Sequence, residues 1–204
     1  MVVARDAALR APVAEQAARR IGLNGESDPA AVSQSELETV LSVGVQDLGR
    51  PFFDALVEQA LASEDRAFRR ATFGALARVE DPALVAELQK LVLSGQMQGY
   101  EPLSMISRQM ARTETSELAY AWLLENFEEV NALMPDIFRG QLPAFGGSFC
   151  SNKRADEWTS FIQSHAGSLP GYERSLAQAD ETVRLCAALR EAKASELFEA
   201  LTGS

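Results

Sequence analysis

The chain has 204 residues, 47% hydrophobic and 24% charged, an ordinary globular mix that excludes disorder over most of its length. Its formal net charge of −10 repels phosphate backbones, which excludes nucleic acid as a partner, and gives no attraction to an anionic membrane. No apolar run approaches the ~20 residues that span a bilayer, and Arg5, Asp6, Arg10, Glu15, Arg19 and Arg20 make residues 1–20 unlike a signal peptide.

In chain order, nearly every segment reads as helix. The first runs from Asp6 to Ile21 and stops at Gly22, with a turn-rich loop over Leu23 to Pro29. Ser33 and Glu36 have capping-box spacing ahead of Leu37, Val40, Leu41 and Val45. Gly49 punctuates, and Pro51 suits the first turn of a helix carrying Phe52, Phe53, Leu56, Val57, Ala60 and Leu61. Phe68, Ala71, Ala75, Leu76 and Val79 mark the next. Asp81-Pro82 is an acidic cap followed by a proline at the first helical position, and Leu84, Val85, Leu88, Leu91 and Val92 share one face behind it.

Gly95 and Gly99 end that helix and Glu101-Pro102 opens another. Thr113 or Thr115 caps a helix with Leu118, Trp122 and Leu123. The pattern continues over Phe127 to Leu133 and stops before Pro135. Arg139 to Ser148, with Gly140, Pro143, Gly146 and Gly147, is the one clear loop. A helix resumes near Asn152 with Trp158, Phe161 and Ile162. After Gly167 to Gly171 a long helix carries Leu176, Ala179, Val183 and Cys186, and a separate short helix covers Ser195 to Leu201.

No strand pattern persists. Arg69 to Ala77, followed by Asp81-Pro82-x-Leu84, resembles a HEAT-type hairpin, which buries its apolar face only by stacking on neighbours. The expected fold is all-α: an irregular HEAT/armadillo-like superhelix of antiparallel helix pairs forming a concave bowl, one domain over 1–204.

The inventory of reactive side chains is small: His165, Cys150 and Cys186. A zinc site needs three or four protein ligands, so a metal site in this chain is not expected. His165 falls at a helix end, where an imidazole meets the negative end of the dipole. No serine near it lies in a nucleophile elbow. Cys150 and Cys186 are either two buried free thiols or, across a helix hairpin, a bridge worth about 3–4 kcal/mol in the chain-entropy model. Arg69, Arg70 and Arg78 cluster on one helix, Lys153 and Arg154 follow Cys150, and Arg174 follows Pro170-Gly171. On helix faces such residues are usually solvated. There is no Walker loop, dinucleotide fingerprint or Cys-x-x-Cys.

The order of the motifs says more. Trp122-Leu-Leu-Glu-Asn126-Phe127, Leu142-Pro143, Gly147-Ser-Phe-Cys150-Ser151, Pro170-Gly171-Tyr-Glu-Arg174-x-Leu176-x-Gln178 and Glu181-Thr-Val-Arg-Leu-Cys186-Ala-Ala188 follow one another. Together they resemble the C-terminal helical domain of zinc aminopeptidases of the membrane alanyl and endoplasmic-reticulum aminopeptidase type. Asp6 to Leu23 and Arg69 to Leu93 are similar to earlier parts of it.

The resemblance implies a non-catalytic domain that closes over the zinc site, gates access and contacts the C-terminal side of the peptide. Zinc and its His-Glu-x-x-His motif would belong to a catalytic domain of the same polypeptide, its first partner, with peptide substrates the second. One histidine cannot supply that motif, and the amine-binding Gly-x-Met-Glu-Asn is absent too. Met1 would then be an added start codon, with a naturally shortened protein as the alternative. Arg78, in Ala-Leu-x-Arg, takes the place of an arginine that in some relatives faces the substrate's carboxylate, which a guanidinium fork fits. Arg154 and Arg174 join it as candidate substrate-binding residues. In exported relatives cysteines placed like Cys150 and Cys186 are paired, which implies a periplasmic or secreted protein; unpaired, they would suit the cytoplasm. The competing function is a free-standing helical-repeat scaffold that binds a partner protein on its concave face.

Overall fold

The computed structural model describes residues 6–202. Among the described residues all regular structure is helical: eleven α-helices, three short 3-10 helices and no strand. They gather into two compact units, the first ending at Leu123 and the second beginning at Leu124.

The first unit is built from α1 (Ala7–Ile21), α2 (Leu37–Asp47), α3 (Gly49–Ala62), α4 (Arg66–Leu76), α5 (Pro82–Leu93) and α6 (Glu101–Met110), with most of α7 (Ser116–Glu125). Carboxylate caps fix three of the starts. Asp6 accepts from the Leu9 amide, Asp65 from Ala67 and Phe68, and Asp81 from Ala83 and Leu84. Pro82 takes the first helical position of α5, where a missing N–H costs nothing. Gly22 ends α1 at φ +71°, and a side chain there would meet the Ser27 amide nitrogen at 2.7 Å.

Two expected caps form differently. Ser33 gives its hydroxyl to the Glu36 carboxylate, so neither side chain reaches an amide of α2. The Thr115 hydroxyl turns back to the Gln109 carbonyl, 2.7 Å away, instead of capping α7.

Within this unit α2 packs on α1, α3 and α4, while α4 also packs on α3 and α6. The shared core holds Leu37, Leu41, Phe52, Leu56, Leu76 and Met105, all essentially closed to solvent. Each contributes roughly 1.5–3 kcal/mol by burial. Gly44 lets α2 approach α3, because a Cβ there would lie 2.4 Å from the Phe52 ring. The helix α4 is buried on almost every side, from Phe68 to Leu76, with only Arg70 open.

The second unit holds α8 (Phe127–Leu133), α9 (Asp136–Arg139), α10 (Asn152–Ser164) and α11 (Glu173–Thr202). The stretch expected as loop is ordered: α9 takes its start and a 3-10 helix covers Leu142–Ser148, packed on α10 and α11. Its order comes from one aromatic. Trp158 lies over Gly146, where a Cβ would sit 2.2 Å from the indole, and its Nε1–H donates to the Pro143 carbonyl at 2.9 Å. Phe161 stacks on Trp158 and meets the edge of Phe127.

The separate last helix does not occur. The chain runs through Glu191–Ser195 without a break, making α11 thirty residues long. That linker reads Glu-Ala-Lys-Ala-Ser, which offers no glycine or proline to stop a helix. Arg184 ties α11 to α10 through Asp156 at 2.6 Å and pairs along α11 with Asp180 at 2.9 Å. Both carboxylates hold its guanidinium further in the charged form.

Candidate functional site

Arg78 follows the last turn of α4, its amide bonded to the Ala75 carbonyl at 2.9 Å. It is half-buried, between fully buried Ala77 and Val79. Among the described residues no carboxylate or carbonyl engages its guanidinium, which leaves the fork free for an external oxyanion.

Other arginines of this unit are engaged by internal partners. Arg10, 3% exposed, binds Asp47 at 2.6 and 2.8 Å and Gln46 at 3.0 Å. Gln46 donates to Glu80 at 3.1 Å, and Arg112 reaches the same carboxylate at 2.7 Å. One polar chain therefore runs from α1 through the end of α2 and the α4–α5 turn to the residues after α6. On α2, Glu38 accepts from Arg108 at 2.6 Å. Its carboxyl lies where a side chain on Gly74 would fall, so that glycine keeps α4 close beneath the pair.

Arg69, read from sequence as a solvated charge, is 1% exposed. Its Nε and Nη2 form a fork onto Glu101 at 2.8 and 2.6 Å, and Nη1 donates to the Ala60 carbonyl at 2.6 Å, with weaker bonds to Leu61 and Ser63. It closes the C-terminus of α3 and joins it to the start of α6. A signal existed in the sequence. Ala71 to Ala77 is small or apolar without a polar face, so α4 is buried all round and any charge on it needs a partner.

In the second unit, Cys150 and Cys186 are joined in a disulfide, with Cα atoms 5.1 Å apart. The bond fastens the end of the 3-10 segment to the middle of α11. Cys150 is half-buried and Cys186 exposed, unlike the buried thiols of the other reading. Arg154 pairs with Glu157 and lies 5.9 Å from the Phe149 ring. That hydrogen bond holds the Glu157 carboxyl below the usual range. Arg174 is exposed on the first turn of α11, with no ion pair or side-chain hydrogen bond among the described residues. His165 follows α10 as its C-cap, its Nδ1 at 2.8 Å from the Phe161 carbonyl and its ring between Phe127 and Phe161. The Ser164 hydroxyl lies 3.0 Å from the same Nδ1 and 2.7 Å from the Phe161 carbonyl, and the Glu128 carboxylate lies 3.9 Å from Nε2.

No group of three or more His, Cys, Asp or Glu side chains among the described residues has the geometry of a metal site. The donors themselves do not fit zinc, since both cysteines are consumed by the bridge and a single imidazole remains. No described helix is long and apolar enough to cross a membrane.

A family model described as the ERAP1-like C-terminal domain matches residues 2–185. The chain belongs to that family. Membership makes it a non-catalytic domain of an aminopeptidase. The match to the ERAP1-like C-terminal domain ends one residue before Cys186, so the outer half of α11 lies beyond it. No curated protein matches the chain.

Proposed function

We propose that this chain is the C-terminal domain of a zinc aminopeptidase, built of HEAT-like helix pairs, that closes over the active site, gates access and holds the C-terminal side of the peptide. The family match across residues 2–185 carries the reading. The physical logic is division of labour. A catalytic domain of the same polypeptide supplies zinc and the scissile-bond chemistry, while this domain excludes bulk water and gains contacts with the remote end of the substrate.

Arg78 is the residue assigned to the peptide carboxylate. It is half-buried, held next to a rigid buried helix, and free of internal carboxylates among the described residues. Arg154, already paired with Glu157, and exposed Arg174 serve as outer contacts. The Cys150–Cys186 bridge favours an oxidising compartment, periplasmic or extracellular.

Two experiments test this. Adding the 204-residue chain to a separately expressed catalytic half restores peptide hydrolysis if the domain is a lid; no gain in activity refutes it and favours the scaffold. In the complete enzyme, Arg78→Ala raises KM for short peptides about tenfold or more, matching the loss of a charge-assisted hydrogen bond. Unchanged kinetics on peptides with free and amidated C-termini removes Arg78 from the site.

A further inference from the structure

The side of α11 that the second unit buries does not stop where the unit stops. At 100° per residue, Leu176, Ala179 and Val183 form one stripe, and all three are buried. The same stripe continues through Ala187, Arg190, Ala194, Leu197, Phe198 and Leu201. Beyond half-buried Ala187 it is open, with Leu197 57%, Phe198 67% and Leu201 81% exposed. A helix keeps an apolar stripe in register for four further turns when something lies against it.

We propose that this outer half of α11 pairs with the same segment of a second copy of the chain, antiparallel, about a two-fold axis at Ala194. Three observations select that occupant. The stripe is graded in size, small at Ala187 and Ala194 and large at Leu197, Phe198 and Leu201. An antiparallel pair centred on Ala194 sets Leu201 against the small Ala187 of the other copy, Phe198 against Arg190, a cation over an aromatic face, and Leu197 beside the stem of Glu191. Ala194 at the crossing lets the two backbones come close. Charge permits it as well. Arg190 and Lys193 against Glu191, Glu196 and Glu199 give a net −1 for the segment, while the chain carries −10. Finally, the open part of the stripe, from Ala187 on, lies outside residues 2–185, the span that the family model matches. The pairing stands independently of the role proposed for Arg78.

Four helical turns bury about 400 Å² per copy, about 800 Å² in all, less than the roughly 1,200 Å² of a standard interface. The association is therefore weak and depends on concentration. Sedimentation equilibrium of the 204-residue chain from about 1 to about 500 µM shows a mass rising from 22.2 kDa toward twice that value. The double variant Leu197→Glu with Leu201→Glu stays at the single-chain mass. These residues are exposed, and unchanged far-UV circular dichroism shows that the fold survives. Leu185→Glu with Leu189→Glu, on the opposite side of the helix and 63% exposed at both positions, keeps the association. Mild oxidation of Ala194→Cys gives an interchain crosslink. A single-chain mass at every concentration overturns the proposal, as does loss of association through the 185 and 189 pair or its survival in the 197 and 201 variant.

Discussion

Arg69 and Glu101 offer the sharpest energetic test. Glu101→Ala removes the only carboxylate, among the described residues, bound to a guanidinium that is 1% exposed. Losing one member of a buried pair costs about 3–5 kcal/mol, because the surviving charge stays in the interior without compensation. The Glu101 side chain is 16% exposed, so some water reaches the gap and the lower figure, about 3 kcal/mol, applies. At a urea m-value of about 2 kcal/mol/M the unfolding midpoint falls by about 1.5 M. Arg69→Ala costs more, about 4 kcal/mol, since the carbonyls of Ala60, Leu61 and Ser63 lose their donor as well. The double variant costs less than the sum, with a coupling of about 2 kcal/mol. Urea unfolding followed by circular dichroism gives the three values, and amide exchange in α4 assigns the loss to the first unit. If the two substitutions add within about 0.5 kcal/mol, the fork is not a coupled pair and Arg69 is held by the α3 carbonyls alone.

Other outcomes follow from the geometry. Replacing both cysteines with serine destabilises the second unit by about 3–4 kcal/mol in the chain-entropy model for a bridge 36 residues apart, read as a lower melting temperature without reductant. Gly146→Ala, with its Cβ 2.2 Å from Trp158, costs about 1–3 kcal/mol and alters the near-UV tryptophan signal, while Gly167→Ala, facing open space, leaves both unchanged. Glu87 and Glu157 have carboxyls held below the usual range mainly by hydrogen bonds from Arg50 and Arg154. Folding lowers these pKa values, so the stabilisation is complete above the ordinary carboxylate range and is lost as pH falls through the lowered folded-state values. Both pairs are open to solvent, so the acid-side loss measured by urea midpoints shrinks at about 1 M salt.

Much of the helical plan is legible in the sequence, because its punctuation is local. Asp6, Gly22, Asp81-Pro82 and Gly49 act on amides within a few residues, and each marks a boundary in the structure. What escapes depends on partners far along the chain. The Arg139–Ser148 stretch reads as loop by composition but is ordered by Trp158, which is ten or more residues further on. Ser33 and Glu36 have the spacing of a capping box, and the two side chains satisfy each other instead. Arg69 resembles its exposed neighbour Arg70 until Glu101 is folded against it. The family is legible from motif order, and the bridge came with it. Cys186 does not pack as a buried thiol would.

The Cys150–Cys186 bond also changes the covalent topology of the molecule. It closes a ring containing α10 and the first half of α11, with everything before Cys150 and everything after Cys186 left as open tails. A protease cut between the two cysteines leaves one molecule of unchanged mass apart from the added water, and the nick appears only when the bond is reduced. A cut in the outer half of α11 releases a fragment at once. The bond thus divides this unit into a segment that tolerates damage to its backbone and a tail that does not, with the boundary at a single side chain.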